Sequence, residues 1–481
     1  MGVVKLRVAI CGGGPGGLAH ACALAKYSDI SVNIYESAAK FSPFGAGIGI
    51  WPRAWNVLCA LGLGEDMAKI TSVPSTSGTG PFHSSTVLAL NTDCPSVPQS
   101  ILVHSFSFRK SDQSNGFTFG NMYSRGPLLT FHRAQFQEVL LQHLPPSCRI
   151  HHSKRLKSYS QGRHGGPIRL SFEDGTHATC DVLVGADGIK SAVRNCLLQE
   201  YAEVSRDNGQ LTGEQKISPR KEYVSWAGSI AYRALIPVER LMEDCDKGLL
   251  VLPTTPTMYI GTDVHMIVYP VSKGKVVNLV LFQFQPESQG IPYHGPWSKE
   301  VDESEIFNVA RFDSWEPEVK RWLKYVRKPT KWAIHMVVDL PTFISGHAVL
   351  IGDAAHSCSP HQGTGAGQAI EDAYFLAELL GDPRTTLNTL TQALKVYDKF
   401  RRPWTQETGA KAMANCRYFT LHYDDFDFVH ADAATVTQKL HDLTDLMIDE
   451  WKWCWTTTVE DSLKLALSQL QDICMPDSEA M

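Results

Sequence analysis

Gly12, Gly14 and Gly17 stand in the spacing G-x-G-x-x-G, inside the run Gly12-Gly13-Gly14-Pro15-Gly16-Gly17. Residues of this type and spacing suit the approach of backbone N–H groups to the pyrophosphate of a dinucleotide. Gly12 permits a tight turn, Gly14 admits the phosphate, and Gly17 lets a helix pack closely on a strand. The start of that helix offers free N–H groups and a positive dipole end to the anion. Glu36, at the end of the next apolar run, is placed to accept both hydroxyls of an adenosine ribose. A glycine turn alone can be purely architectural, so the flanking elements decide. Residues 3–11 (VVKLRVAIC) predict a buried parallel strand, residues 18–26 (LAHACALAK) a helix on a sheet, and residues 30–35 (ISVNIY) a second strand. This is a βαβ dinucleotide-binding unit, and it does not by itself separate NAD from FAD.

Two later segments make that distinction. Residues 180–184 (CDVLV) predict a strand entering Gly185-Ala186-Asp187-Gly188. Residues 347–351 (HAVLI) predict another, entering Gly352-Asp353-Ala354-Ala355-His356. The chain then passes through Ser359-Pro360-His361-Gln362-Gly363-Thr364-Gly365-Ala366-Gly367-Gln368 into a helix near residue 369. In this order the three motifs resemble the single-component FAD-dependent aromatic hydroxylases, and more narrowly their fungal salicylate-hydroxylase-like branch. Gly45-Ala46-Gly47-Ile48, Leu61-Gly62-Leu63, His132-Arg133, Tyr232-Arg233-Ala234-Leu235-Ile236-Pro237, Tyr269-Pro270-Val271 and Arg401-Arg402-Pro403 extend the resemblance. It runs from about residue 3 to about residue 404.

The resemblance implies an α/β fold: a Rossmann-like FAD-binding domain of the para-hydroxybenzoate-hydroxylase type, an inserted antiparallel-sheet substrate domain, and C-terminal helices. Asp353 would bond the ribityl chain. The backbone at Gly363, Gly365, Ala366 and Gly367, with the helix start, would face the pyrimidine edge, where reduced flavin gathers negative charge. Gly47 and Gly49 would line the cofactor, Arg133 would reach its phosphate or ribityl region, and the Pro360 carbonyl would contact substrate or flavin edge. Asp187 would lie near both FAD and an incoming nicotinamide, although an Asp-Gly pair can also be a plain turn.

The implied activity uses NADH or NADPH to reduce FAD, then O₂ to form a flavin C4a-hydroperoxide that hydroxylates a small phenolic substrate. Arg194 and Tyr232 are the expected phenol-handling residues. A guanidinium stabilises a phenolate, and a tyrosine hydroxyl shares or orients its proton. The structural alternatives are a salt bridge or flavin contact for Arg194 and strand packing for Tyr232. Two positions depart from the family pattern. Gly228 stands four residues before Tyr232, where several relatives carry a base histidine, and Trp51-Pro52-Arg53-Ala54 replaces a frequent Pro-Asn-Ala.

The rest of the chain bounds this reading. With 45 basic and 50 acidic residues the formal net charge is −5, so no nucleic-acid partner is expected. No run approaches the roughly 20 apolar residues of a membrane span, and the N-terminus leads directly into a motif-bearing strand. The 12 cysteines contain no Cys-x-x-Cys pair, so neither a metal nor a disulfide framework is expected. The cysteine usage suits a reducing, cytoplasmic compartment, and a monomer or homodimer is expected.

Residues 1–72, 126–200 and 331–380 are expected to form the FAD-binding domain, 73–125 and 201–330 the substrate domain, and 381–481 a helical region. Residues 226–237, 248–252, 258–260, 265–269 and 275–283 read as short strands of an antiparallel sheet. Residues 298–327, 369–380, 387–400 and 406–415 read as helical, and the tryptophan-rich end is expected against the FAD domain. The absence of a second G-x-G-x-x-G after a strand disfavours a separate NAD(P)H domain. Hydroxylation of a small phenolic aromatic of the hydroxybenzoate or salicylate kind leads, with or without decarboxylation at the ipso carbon. Hydroxylation of a polyketide- or prenyl-derived phenol in fungal secondary metabolism is second. A non-enzymatic binding module on the same fold would need neither later motif.

Overall fold

The computed structural model describes residues 4–41, 47–71, 102–162, 166–207, 223–309, 312–424 and 426–474. Gly45 and Ala46, and residues 72–101 of the expected crossing segment, lie outside the described residues.

Leu6–Cys11 is an interior strand because Leu6, Val8 and Ile10 are all buried among apolar neighbours, which a parallel strand covered on both faces requires. Ile10 pairs in parallel with Ile34 of Ile30–Tyr35 on one side and with Val184 of Val182–Gly185 on the other. Arg149–His151 extends one edge, and Ala348–Leu350 followed by Ile344–Ser345 extends the other, giving a six-stranded sheet. Helix Pro15–Leu24 packs on helix Gly365–Gly381. Glycine is required at Gly17, where a Cβ would stand 2.0 Å from the Gly12 carbonyl oxygen. Gly12 has φ +109° and a Cβ there would stand 2.2 Å from the Ala186 carbonyl oxygen, so both residues serve the packing of the unit itself.

The second layer is an eight-stranded sheet. Its order is Ser298–Glu300, Thr330–Val337, Val224–Pro237, Val276–Phe284, Val264–Val271, Thr257–Gly261, Leu102–Lys110 and Phe117–Arg125. Most of the short runs expected there are present. Residues 248–252 form no strand: Val251 is 76% exposed and the segment finds no pairing partner. Residues 298–327 open on the edge strand Ser298–Glu300 before turning helical. Thr330–Val337 pairs with Val224–Pro237, so the expected division at 330/331 falls inside a strand of the large sheet.

The two helices expected around Pro403 are one, Leu390–Tyr418. Proline removes one N–H and costs an intrahelical bond, but the buried stripe Leu394, Tyr397, Arg401, Thr405 and Thr408 continues through it, and burial outweighs the local loss. The tryptophan-rich end bridges the two layers: Trp451 joins Phe106, Phe108 and Met258 of the large sheet, while the turn Trp453–Thr456 packs on helix Pro52–Ala60 and Trp51 lies against both Trp451 and Trp455.

Candidate active site

Three cavities of about 450, 320 and 360 Å³ form a continuous trench from the first glycine motif to the large sheet. Arg133 lines all three, from the first position of helix Arg133–Gln142. The first cavity is bounded by Gly12, Gly14, Glu36 and Asp187. Glu36 Oε2 accepts from the Gly13 N–H at 2.8 Å and Oε1 from the Ala38 N–H at 2.7 Å, which pins the carboxylate at the end of its strand. Asp187 caps helix Ala192–Asp207, accepting from the N–H groups of Ala192 and Val193 at 2.7 and 3.1 Å and from the Ser191 hydroxyl. Burial raises its pKa against those bonds. Its carboxylate caps that helix, and the residue also borders the first cavity.

The middle cavity brings together Gly14, Gly47, Gly49, Asp353, Pro360, Gly363, Gly365 and Ala366. A Cβ at Gly14 or Gly365 would meet nothing within 4 Å, so these glycines leave room in the trench rather than relieve contacts within the fold, whereas Gly363, at φ +64°, also serves the left-handed turn that ends the Pro360–Gln362 segment. Two helices aim N-termini at the same space: Pro15–Leu24, whose N-cap Gly14 has no side-chain cap, and the 17-residue helix Gly365–Gly381. Gly367 does not line the space; a Cβ there would stand 3.0 Å from Ala54 Cβ, so it serves helix packing. Uncapped N–H groups, open glycines and Asp353 at the head of its short helix match a diphosphate and polyol chain. The residues present therefore fit FAD.

The loop carrying Asp353 is held by a buried ionic network. Asp372 accepts from the Gly352 N–H at 2.9 Å and from His356 Nε2 at 2.5 Å. Arg401 binds Asp372 at 2.8 Å and Glu371 at 3.0 Å, and Glu371 also binds Arg53 at 3.1 Å. The opposing charges hold Asp372 at a pKa of about 2 against desolvation, the largest effect, which pushes the other way. The departure at Trp51 has a physical reason. Its indole N–H and that of Trp451 both donate to the Gln362 carbonyl, at 2.9 and 3.0 Å, clamping the loop that follows Pro360.

The third cavity is mostly apolar, walled by Phe106, Met258, Ile267, Phe282 and Phe419. Its polar residues include Arg233, Tyr269, His265 and His361. Neither expected phenol-handling residue reaches it. Along strand Val224–Pro237 alternate side chains face opposite sides. Ala231 and Arg233 line the cavity, whereas Tyr232 points away, its hydroxyl donating to Glu305 Oε1 at 3.2 Å. Arg194 is 2% exposed and donates to the carbonyls of Ala354 at 2.9 Å and Ile189 at 2.6 Å; burial lowers its pKa to about 10. It braces the Asp353 loop from behind.

Arg233 is the cation at the right place. Its Nε donates to Asn278 Oδ1 at 2.8 Å, and among the described residues the buried Nη2 has no hydrogen-bond partner and the side chain makes no ion pair. Burial lowers its pKa, and the facing Tyr269 hydroxyl raises it. A Cβ on Gly47 would lie 3.1 Å from the Tyr269 hydroxyl and 3.6 Å from Arg233 Nη2, which places both groups at the junction with the middle cavity. Strand alternation sets Tyr232 and Arg233 on opposite faces, but the sequence carries no signal of which face meets the cavity, since residues 226–232 are buried on both sides. His361 stood inside the third motif with no role given to it, and His265 had no sequence signal.

Trench, glycines and apolar cavity define a flavin-dependent aromatic monooxygenase. The chain belongs to the FAD binding domain family, which matches residues 5–411. It is 35% identical to a salicylate hydroxylase of Pseudomonas putida over 408 residues, 83% of this chain and 82% of that protein. It is 29% identical to a 6-methylsalicylate 1-monooxygenase of Aspergillus terreus over 481 residues, 99% of this chain and 95% of that one. Among solved structures, a salicylate hydroxylase substrate complex superposes with a TM-score of 0.76 at 29% identity, covering 96% of this chain and 98% of that one. A uric-acid complex of HpxO from Klebsiella pneumoniae with FAD shares the fold at a TM-score of 0.65, with 20% identity and coverage of 98% and 97%.

Proposed function

We propose that the enzyme hydroxylates a small phenolic aromatic of the hydroxybenzoate or salicylate kind, with NADH or NADPH as reductant and O₂ as oxidant. One oxygen atom enters the ring and the other leaves as water. Where the attacked carbon carries a carboxylate, CO₂ departs and hydroxyl takes its place. FAD bound in the trench would relay the electrons of NAD(P)H and activate oxygen.

The observation that carries this reading is Arg233. A guanidinium remains charged even when burial lowers its pKa, and a buried charged donor without a partner is costly. Here the missing partner is supplied by the substrate: a carboxylate or phenolate meeting Nη2 at the mouth of the flavin trench. Tyr269 stands beside it, its pKa raised by burial and lowered by Arg233 and Asn278. Its protonated hydroxyl donates to the phenolic oxygen and keeps the ring oriented. The apolar walls exclude water, which strengthens these contacts and limits side reactions of reactive intermediates. The names of the salicylate-acting relatives support the same substrate class.

The test is oxidation of NADH and NADPH by the flavin-loaded enzyme across salicylate, 4-hydroxybenzoate and prenylated or orcinol-type phenols, with product masses. Stimulated oxidation with a product one oxygen heavier, or with carboxylate replaced by hydroxyl, is expected. Oxidation that no phenol stimulates would sink the reading.

A further inference from the structure

We propose that His265 and His361 form a second polar subsite, which binds a neutral hydroxyl or carbonyl group carried by the substrate at the end remote from its anionic head. The inference rests on phenol hydroxylation as read above, and it defines the substrate class as an extended phenol: a ring with an anionic head and an arm or second ring ending in a hydrogen-bonding group.

The distance between the two polar ends comes from the strand. His265, Ile267 and Tyr269 lie on one strand and all line the cavity. Four residues of strand separate the His265 and Tyr269 backbones by about 13 Å. Between them stands an apolar stretch of Ile267, Val280 and Met258. A single ring with its substituents directly attached is shorter than this separation.

The two imidazoles are built into the wall rather than left on a surface. His265 is 1% and His361 5% exposed, and His265 Nδ1 and His361 Nε2 have no hydrogen-bond partner among the described residues. Their orientations are fixed. His265 stacks on Phe282 at 4.8 Å and 12°, His361 packs on the same ring at 4.7 Å, and the Ser359 hydroxyl holds His361 Nδ1. Buried unpaired nitrogens in a wall of Phe106, Phe282 and Phe419 cost stability, which a ligand atom would recover. Burial also keeps both rings neutral, with His361 pushed down to about 3, so the matching group is a neutral donor or acceptor and not a second carboxylate.

The experiment uses the full-length flavin-loaded enzyme and pairs of salicylates bearing an alkyl arm that ends in hydroxyl or in methyl, with the arm lengthened stepwise. The readouts are kcat/KM and the binding-induced change in flavin absorbance. At one arm length the hydroxyl member is expected to be preferred at least tenfold, and His265→Phe or His361→Leu is expected to bring that ratio near one. Equal use of the two members at every length in the parent enzyme overturns the subsite, and that series needs no variant to fold. A preference that survives in both variants overturns it too. Absence of turnover with every phenol would instead remove the hydroxylase reading, a result distinct from turnover without preference.

Discussion

Gly14→Ala separates a glycine kept for a ligand from glycines kept for the fold. Gly14 has φ −73° and ψ 178°, which alanine adopts freely, and a Cβ there meets nothing within 4 Å. Replacing glycine by alanine at a compatible position stabilises by about 0.4–1 kcal/mol through the unfolded chain. Alanine is a poorer helix N-cap than glycine by a comparable few tenths to about 1 kcal/mol. The two effects nearly cancel, so apoprotein Tm should stay within a degree or two of the parent. The methyl group instead occupies space where diphosphate oxygens must approach the helix N-terminus. An overpacking cost of about 1–3 kcal/mol corresponds to an FAD Kd raised about 5- to 150-fold. Gly17→Ala should behave oppositely, because its Cβ would stand 2.0 Å from the Gly12 carbonyl oxygen and the turn itself must move. Apoprotein melting and FAD titration of both variants make the comparison. If Gly14→Ala binds FAD like the parent, or melts as early as Gly17→Ala, the placement of the diphosphate at this helix start is wrong.

Further expectations follow from the same geometry. Asp353→Ala should purify depleted of FAD, since ribityl contacts are lost; full occupancy by absorbance would contradict that role. Arg194→Gln should loosen the Ala354 carbonyl and weaken FAD retention, whereas lost turnover at full FAD occupancy and affinity would restore the phenolate role expected from sequence. Asp372→Asn leaves Arg401 and Arg53 sharing one carboxylate, and urea unfolding should show a loss of about 3–5 kcal/mol, the range for breaking a buried ion pair. His20 has its pKa lowered to about 4 by burial. The unfolded chain therefore binds its proton first, so stability is full above about pH 6.5 and falls as pH drops toward 4, by up to about 3 kcal/mol. His20→Gln should flatten that part of the stability–pH curve; an unchanged slope would assign it to other groups.

The βαβ unit was legible because each of its levels agrees. The apolar run around Ile10, the glycine spacing and the carboxylate at Glu36 all require the same turn, and local sequence determines it. The segment carrying Asp353, Gly363 and Gly365 was legible as one local motif, although the Gly14, Gly47 and Arg133 that share its cavity lie far away in the chain. The substrate cavity was not. Its walls come from strands far apart in the chain, and the choice between Tyr232 and Arg233 depends on which face of one strand meets the trench, a matter of tertiary register. Pro403 misled for a related reason: a local breaker was overruled by a buried stripe that only the packed helices reveal. Trp51 looked like a lost functional position and is instead half of a two-indole clamp whose other half lies 400 residues later.

The account stands most directly on the fate of oxygen. A turnover of the flavin-loaded enzyme under ¹⁸O₂ with a phenol that stimulates NAD(P)H oxidation, followed by mass spectrometry of the aromatic product, measures it. Incorporation of one ¹⁸O atom per product is predicted, and in Arg233→Gln incorporation per NAD(P)H oxidised should fall as the anionic head loses its partner. Product oxygen drawn from water, or NAD(P)H oxidation that yields only hydrogen peroxide for every phenol, would contradict hydroxylation in this cavity.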